Sequence, residues 1–255
     1  MLWRPVASLE RFAMESVRWA FSYASWVPCR EDWLLAMRLV QPEEKERIGQ
    51  FVFARDAKAA MAGRLLIRKL IAEKLNIPWN AILLGRTSKG KPVLVNDISA
   101  NHSPFNFNVS HQGNYTVLAA EPDRHVGIDV MKTSLPGSGS IPDFFRIMKR
   151  QFTDEEWRTI TSMRNEWLQL DMFHRHWETR LDDYHHVAVA LGKPEGFKEK
   201  HAEVPCRDVT QTAFTMLAFD DLVASAVPLT PEDHACWDNF CSRQDSPARQ
   251  SSNSR

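Results

Sequence analysis

An α+β fold is the class this 255-residue sequence predicts, and three observations carry that expectation. Ala62, Leu66 and Leu70 recur at four-residue steps with Ile67, Ile71 and Leu75 alongside, the spacing of one helical face. Past Pro78 the apolar period changes to two, in Phe105, Phe107 and Val109 and again in Val126, Ile128 and Val130. A further helical region opens at Thr153, so helix and strand mix without the regular βαβ alternation of a parallel sheet.

In chain order, Val17 to Phe21 is a short mixed segment, and a helix is expected through Asp32 to Ala36. Pro42 followed by Glu43 and Glu44 starts the next helix. The missing proline N–H is harmless in a first turn, and acids suit the positive end of the dipole. That helical segment should run to Leu75 with at most one break, its Arg64, Arg68, Lys69 and Lys74 turned away from the apolar face, until Asn76 and Pro78 end it. The alternation from Phe105, the turn at His111-Gln112-Gly113-Asn114 and the strand Tyr115 to Ala120 predict a hairpin.

In the strand that follows, Gly127 and Asp129 share the face opposite Val126, Ile128 and Val130. Thr153-x-x-Glu156 is a capping box, and Trp167, Leu170, His174 and Trp177 mark the apolar stripe of a later helix. Val187, Val189 and Leu191 form another strand, and Phe214 to Leu222 is a further apolar stretch. Residues 243–255, rich in Ser, Gln and Arg, are expected to form a disordered tail.

Basic and acidic residues balance at 32 each, so no overall field draws the chain to nucleic acid or an anionic membrane, and any anion binding must be local. The cysteines, Cys29, Cys206, Cys236 and Cys241, have no Cys-x-x-Cys spacing, which argues against a disulfide framework or a zinc ribbon and fits a reduced compartment. Apolar runs fall short of a membrane span and the N-terminus lacks a signal-peptide core. Arg4 and Arg11 hint at a transit peptide, against which stand Glu10 and Glu15. The expectation is a cytosolic monomer.

Chemistry concentrates between Arg86 and Asp129. Arg86, Lys89 and Lys91 surround Gly90, whose missing side chain lets backbone N–H groups approach a phosphate. On spacing alone the signal is weak, since such a Lys-Gly-Lys turn is more often a solvated loop, and only its neighbours strengthen it. Asn108-Val109-Ser110-His111 ends a strand with an amide, a hydroxyl and an imidazole, groups that either bond phosphate or ribose or merely shape the turn. A Ser110/His111 nucleophile pair is disfavoured because neighbours on a strand point to opposite faces. Asp129, in an otherwise apolar strand, must be solvated, paired or ligated, and magnesium takes such hard oxygens with substrate phosphates. Arg47 follows Glu43 at ion-pair spacing, and that pair alone accounts for it. His174, His176, His185 and His186 lack the spacing of a zinc motif.

These blocks, Arg86 to Pro92, Asn108 to His111 and Val126 to Val130, together with Gln41 to Arg47 and Phe51 to Asp56, resemble the 4'-phosphopantetheinyl transferases. The resemblance runs nearly continuously from about Met14 to Trp177 and in parts of the C-terminal stretch. It implies a pseudo-dimer of two similar α+β lobes with the active site between them, here residues 14–120 and 121–230. It also implies the family's activity: magnesium-dependent transfer of 4'-phosphopantetheine from coenzyme A to a serine of an acyl or peptidyl carrier domain, as in fatty acid synthase or aminoadipate-semialdehyde dehydrogenase. Carried over, Arg47, Arg86, Thr87, Ser88, Lys89, Gly90, Lys91, Asn108, Val109, Ser110 and His111 hold the nucleotide and phosphates, and Asp129 ligates magnesium. For Arg47 that role rests on the resemblance alone.

The family's second signature, Trp-x-x-Lys-Glu followed by a further lysine, supplies a glutamate that ligates metal and serves as base. Here Trp177 is followed by Glu178-Thr179-Arg180-Leu181-Asp182-Asp183, so that block is missing and the second lobe reads as truncated after Trp177. A splice variant or a gene-model error would each produce such a junction. Glu178 is the weak substitute, set back by about 4.5 Å along a helix axis from the expected position. The alternative is therefore a form that binds coenzyme A or carrier protein without transferring.

Overall fold

The computed structural model describes residues 15–96, 105–122, 124–132, 140–175, 179–194 and 213–246. The elements run β1 (Val17–Ser22), α1 (Arg30–Arg38), α2 (Pro42–Gly49), α3 (Ala54–Lys74), β2 (Leu84–Arg86), β3 (Pro92–Leu94), β4 (Phe105–Gln112), β5 (Tyr115–Pro122) and β6 (Arg124–Lys132). They continue with α4 (Ile141–Met148), α5 (Asp154–Thr161), α6 (Glu166–Arg175), β7 (Thr179–Asp182), β8 (His185–Pro194), β9 (Thr215–Leu217), α7 (Phe219–Val223) and α8 (Ala235–Cys241). The class is α+β. Among the described residues, no helix is long and apolar enough to cross a membrane.

A four-stranded sheet has the order β4-β5-β1-β9, a three-stranded sheet the order β6-β8-β7, and β2 and β3 form a separate ribbon. Alternation along β1 and β5 sorts their side chains. Trp19, Phe21, Leu118 and Ala120 enter the core with α3 and α1, while Ala20, Val117 and Ala119 enter a second core with Val126, Ile128, Val130 and Val187. The first sheet is thus sandwiched between helices and the β6-β8 strands. Ile141, Phe145, Ile160, Leu170 and Phe173 form a third cluster among α4, α5 and α6.

The helix expected from Pro42 breaks once, between Gly49 and Ala54. Its second part, α3, departs from expectation on its polar face: Arg64, Arg68 and Lys69 are buried, because α2, the segment from Trp79 to Ile82 and the sheet enclose the helix on all sides. Their stems pack, and the heads of Arg68 and Lys69 find acceptors: Arg68 Nη2 donates to Trp79 O at 2.6 Å and Lys69 Nζ to Glu73 Oε1. The Thr153–Glu156 capping box forms at the start of α5. Trp167, expected on the apolar stripe of α6, is exposed, because that helix buries Leu170 and Phe173 instead. Of the other stripe positions, the His174 side chain and Trp177 lie outside the described residues.

Residues 213–246 fall on the first sheet's side of the molecule. Thr215, Met216 and Leu217 pair in parallel with Trp19, Ala20 and Phe21, Phe219 stacks on Trp26, and Phe240 stacks on Trp33. The boundaries read from sequence place residues 213–230 in the second lobe and 243–246 in the tail, but Phe219, Trp237 and Phe240 complete the first core. Arg243 donates to Ile48 O (3.2 Å) and Gly49 O (2.8 Å) at the end of α2. The Gln244 and Asp245 carbonyls accept from the Ala54 and Arg55 amides, at 2.9 and 3.1 Å, at the start of α3. Where the composition suggests a disordered tail, the Arg243 side chain and the backbone carbonyls of Gln244 and Asp245 supply partners for orphaned helix-end groups. Residues 247–255 lie outside the described residues.

Candidate active site

The loop between β2 and β3 is a tight turn held by its own backbone. Thr87 N–H donates to Lys91 O (2.9 Å), Gly90 N–H to Thr87 O (2.8 Å), and Lys91 N–H to Thr87 Oγ1 (3.1 Å). Gly90 has φ 79°, and a Cβ there would meet nothing within 4 Å, so glycine is required for backbone conformation rather than for close approach. Its N–H is committed to the turn. Among the described residues, the amides of Ser88 and Lys89 have no acceptor, and both residues are exposed beside the Lys89 side chain.

Arg86 is engaged with protein on two sides. Its Nε and Nη2 lie 3.1 and 2.8 Å from Glu44 Oε1, Nη2 also reaches Glu44 Oε2 at 3.1 Å, and Nη1 donates to Gly90 O at 2.9 Å. Glu44, its side chain only 12% exposed, also stands 3.6 Å from Arg47 Nη1 and 3.5 Å from Arg64 Nη1. Arg47 therefore pairs with Glu44, one turn along α2, and not with Glu43 as the i,i+4 spacing suggests, while its guanidinium lies over the Phe51 ring at 5.2 Å. Three guanidinium groups share one carboxylate, leaving two positive charges in excess before Lys89 and Lys91 are counted.

Arg64 is the buried member of the cluster. Burial pushes its pKa down to about 10, against the attraction of Glu44, and the charges of Arg86 and Arg47 add to the depression. Its Nε and Nη1 have no hydrogen-bond partner, the 3.5 Å approach to Glu44 being an ion pair without hydrogen-bond alignment. The outward cations, Arg47 and Arg86, are the members of the cluster that an anion can reach. Sequence reading missed both Arg64 and Glu44; the available signal was an arginine four residues before Arg68 in a helix otherwise built of Ala, Leu and Ile.

Strand β4 connects this cluster to Asp129. The β4 side chains alternate: Val109 meets the backbone of α3 at Gly63, and His111 lies within the field of Asp56 and Arg47 on that same side. Neighbouring protein crowds the His111 ring although the residue keeps an exposed edge. This desolvation holds its pKa below the usual histidine value, opposed by Asp56 and assisted by Arg47. Asn108 Oδ1 accepts from the Val109 N–H at 2.8 Å. Facing β6, Asn106 Oδ1 accepts from Val126 N–H (3.1 Å), Ser110 Oγ donates to Asp129 Oδ1 (2.6 Å), and Gln112 Oε1 accepts from Lys132 N–H (2.8 Å).

Asp129 is exposed, opposite Ala188 on β8, while Val126, Ile128 and Val130 point into the core as the alternation predicts. Val130 N–H also donates to Oδ1 at 3.0 Å, so both bonds fall on one oxygen and, among the described residues, Oδ2 is left open. Among the described residues, no three His, Cys, Asp or Glu side chains cluster to hold a metal by themselves. One outward carboxylate oxygen suits a magnesium ion completed by water and phosphate oxygens. His185 is buried and bonded to Asp182, and Glu178 lies outside the described residues.

A cavity of about 380 Å³ lies between α1, α2 and α8, lined by Trp33, Lys45, Glu46 and Cys236 among others. It occupies the other face of α2 and contains none of the phosphate or metal candidates.

Residues 24–123 match the family model described as the N-terminal part of 4'-phosphopantetheinyl transferase. The L-aminoadipate-semialdehyde dehydrogenase-phosphopantetheinyl transferase of Homo sapiens is 52% identical to this chain over 294 residues, covering 93% of this chain and 94% of the relative. Its Xenopus laevis counterpart is 48% identical over 96% of this chain and 98% of its own length. A phosphopantetheinyl transferase of Thraustochytrium is 39% identical over 56% of this chain and 49% of that protein. With identity at this level across almost the whole sequence, the chain belongs to the 4'-phosphopantetheinyl transferase family.

Proposed function

We propose that this protein transfers the 4'-phosphopantetheine group of coenzyme A to a serine hydroxyl of an acyl or peptidyl carrier domain, with magnesium at Asp129. The observation that carries the reading is one strand, β4, joining an arginine cluster in positive excess to an outward carboxylate. Coenzyme A presents a phosphomonoester and a pyrophosphate, which suit the cations of Arg47, Arg86, Lys89 and Lys91 and the free amides of Ser88 and Lys89. Asn108 and His111 flank that arrangement with an amide and an imidazole.

In the transfer, the serine oxygen forms a bond to the pantetheine-bearing phosphorus, the bond to the bridging oxygen breaks, 3',5'-ADP leaves, and the serine proton passes to a base. Bound magnesium supplies charge neutralisation at the pyrophosphate. The chain's own groups do the remainder: the cations hold the nucleotide, and Ser110 fixes the rotation of the Asp129 carboxylate. A carrier domain of the kind named for the human relative, that of aminoadipate-semialdehyde dehydrogenase, is the proposed partner. We place the protein in the cytosol as a monomer.

We read the architecture as the family's two lobes with the second shortened after Trp177. Supporting this, the 294-residue alignment with the human relative exceeds the 255 residues of this chain, so the relative carries residues without counterpart here. The same observation favours a second reading, capture of coenzyme A without transfer, because the Lys-Glu pair expected beyond Trp177 does not follow it. Incubating the full chain with coenzyme A, magnesium and an apo carrier, and weighing the carrier, decides between them. A phosphopantetheine adduct establishes transfer; bound coenzyme A without an adduct establishes capture.

A further inference from the structure

Two of the proposed anion ligands, Arg86 and Arg47, are held by Glu44. Its carboxylate, in the first turn of α2, takes Arg86 through two nitrogens, while Arg86 Nη1 takes the Gly90 carbonyl 2.9 Å away. Through that one guanidinium, α2 is fastened to the turn that presents Ser88, Lys89 and Lys91. From the protein's interior, Arg64 reaches the same carboxylate at 3.5 Å, its side chain 9% exposed.

A carboxylate among phosphate-binding cations opposes an anion by charge, so its presence needs a reason. Without it, a buried Arg64 would face Arg86 and Arg47 with no counter-ion, Arg86 would keep only its bond to Gly90 O, and Arg47 only its stacking on Phe51. A preorganised cation binds an anion more tightly than a free one because its rotamer entropy is already lost.

We propose that Glu44 is the positioning residue of the nucleotide-phosphate subsite: it orients Arg86 and the Thr87–Lys91 turn toward the ligand and is itself pinned by Arg64. The proposal rests on the reading of this region as the coenzyme A site. It assigns Arg64 and Glu44 a role behind the ligand, not in contact with it.

The probe is 3',5'-ADP, titrated calorimetrically into the full chain, with deuterium exchange of the segment from Leu84 to Leu94 followed in parallel. Glu44→Gln keeps shape and removes charge, and the expected loss of affinity is roughly tenfold or more, with faster exchange in the turn. Since Glu44→Gln strands a buried arginine and lowers Tm, the decisive variant is Glu44→Gln with Arg64→Met, which removes both charges. Positioning predicts that this double variant regains Tm but not affinity or slow exchange. Recovery of affinity together with Tm overturns the proposal, since Glu44 would then act only through fold stability. Wild-type affinity in Glu44→Gln alone overturns it as well. If the wild-type chain takes up no 3',5'-ADP, the site reading fails and the proposal falls with it; uptake by wild type separates the two failures.

Discussion

Ser110 Oγ donates to Asp129 Oδ1 at 2.6 Å, across the junction between an edge strand of one sheet and an edge strand of the other. With Val130 N–H on the same oxygen, the carboxylate has one rotation, and Oδ2 is the atom presented to solvent. If magnesium binds there, Asp129→Ala removes magnesium-dependent uptake of coenzyme A. Ser110→Ala leaves uptake intact but demands roughly tenfold more magnesium, the usual effect of losing a group that orients a metal ligand. Calorimetry across a magnesium titration measures both. Uptake in Asp129→Ala equal to wild type removes the ligand role.

Arg18 and Glu121 form an ion pair within the first sheet with side chains 5% and 7% exposed. Ser16 Oγ donates to Glu121 Oε2 (2.6 Å), and Arg18 Nη1 donates to Val17 O (2.9 Å), so both charges are further satisfied. Glu121→Gln leaves Arg18 buried without a counter-ion at a cost of about 3 kcal/mol, which for a chain of this size lowers Tm by about 6–12 °C. Scanning calorimetry on the two proteins checks it; a shift under about 2 °C contradicts the buried-pair account.

The β4–β5 turn and β8 meet at Gly113 and His185. Gly113 has φ 63°, and a Cβ there would overlap the buried His185 ring, whose Nε2 accepts from Asn114 N–H at 3.1 Å and whose Nδ1 bonds Asp182 at 2.9 Å. Gly113→Ala costs about 1–2 kcal/mol from the backbone alone and more from displacing the ring. Burial acts to raise the Asp182 pKa, but the Tyr184 amide, the His185 ring and the Tyr115 hydroxyl together hold it below its ordinary value. A carboxylate depressed on folding stabilises the protein above its unfolded pKa and ceases to as pH falls through the folded one. Wild type should therefore be more stable than Asp182→Asn at neutral pH, with the gap closing below about pH 4. A gap constant to pH 3 excludes this linkage.

Much of this molecule was legible before its structure. The helix start at Pro42, the α3 stripe, the β4–β5 hairpin, the outward Asp129 and the Thr153 cap all follow from local rules of period and capping, and each stands where those rules put it. What local rules miss is what covers a face. Arg64 and Arg68 sit at positions that periodicity assigns to solvent, yet α2 and the segment after Pro78 cover them. The parallel pairing of Thr215–Leu217 with Trp19–Phe21 joins distant parts of the chain, and no pattern within either strand encodes it. At the site, the turn cations and the β4 segment were evident from residue type. Glu44 was visible only as a helix-start acid, because its ion pairs are with three arginines from three different elements.

His111 offers a readout of the anion site that involves no metal. Desolvation and Arg47 hold its pKa below the ordinary histidine value, against the pull of Asp56, and so favour the neutral ring in the free protein. A phosphate beside it favours the charged ring, so the pKa rises on binding. Binding then takes up a proton and tightens as pH falls from about 7 through the histidine range. Phosphate protonation, with a second pKa of about 6, works in the opposite direction. The quantity to measure is therefore the 3',5'-ADP affinity of wild type relative to His111→Gln at each pH. That ratio should grow by roughly tenfold between pH 7.5 and 5.5, the gain from one added charge-assisted hydrogen bond. A ratio independent of pH means that His111 does not touch the anion and serves only to shape the end of β4.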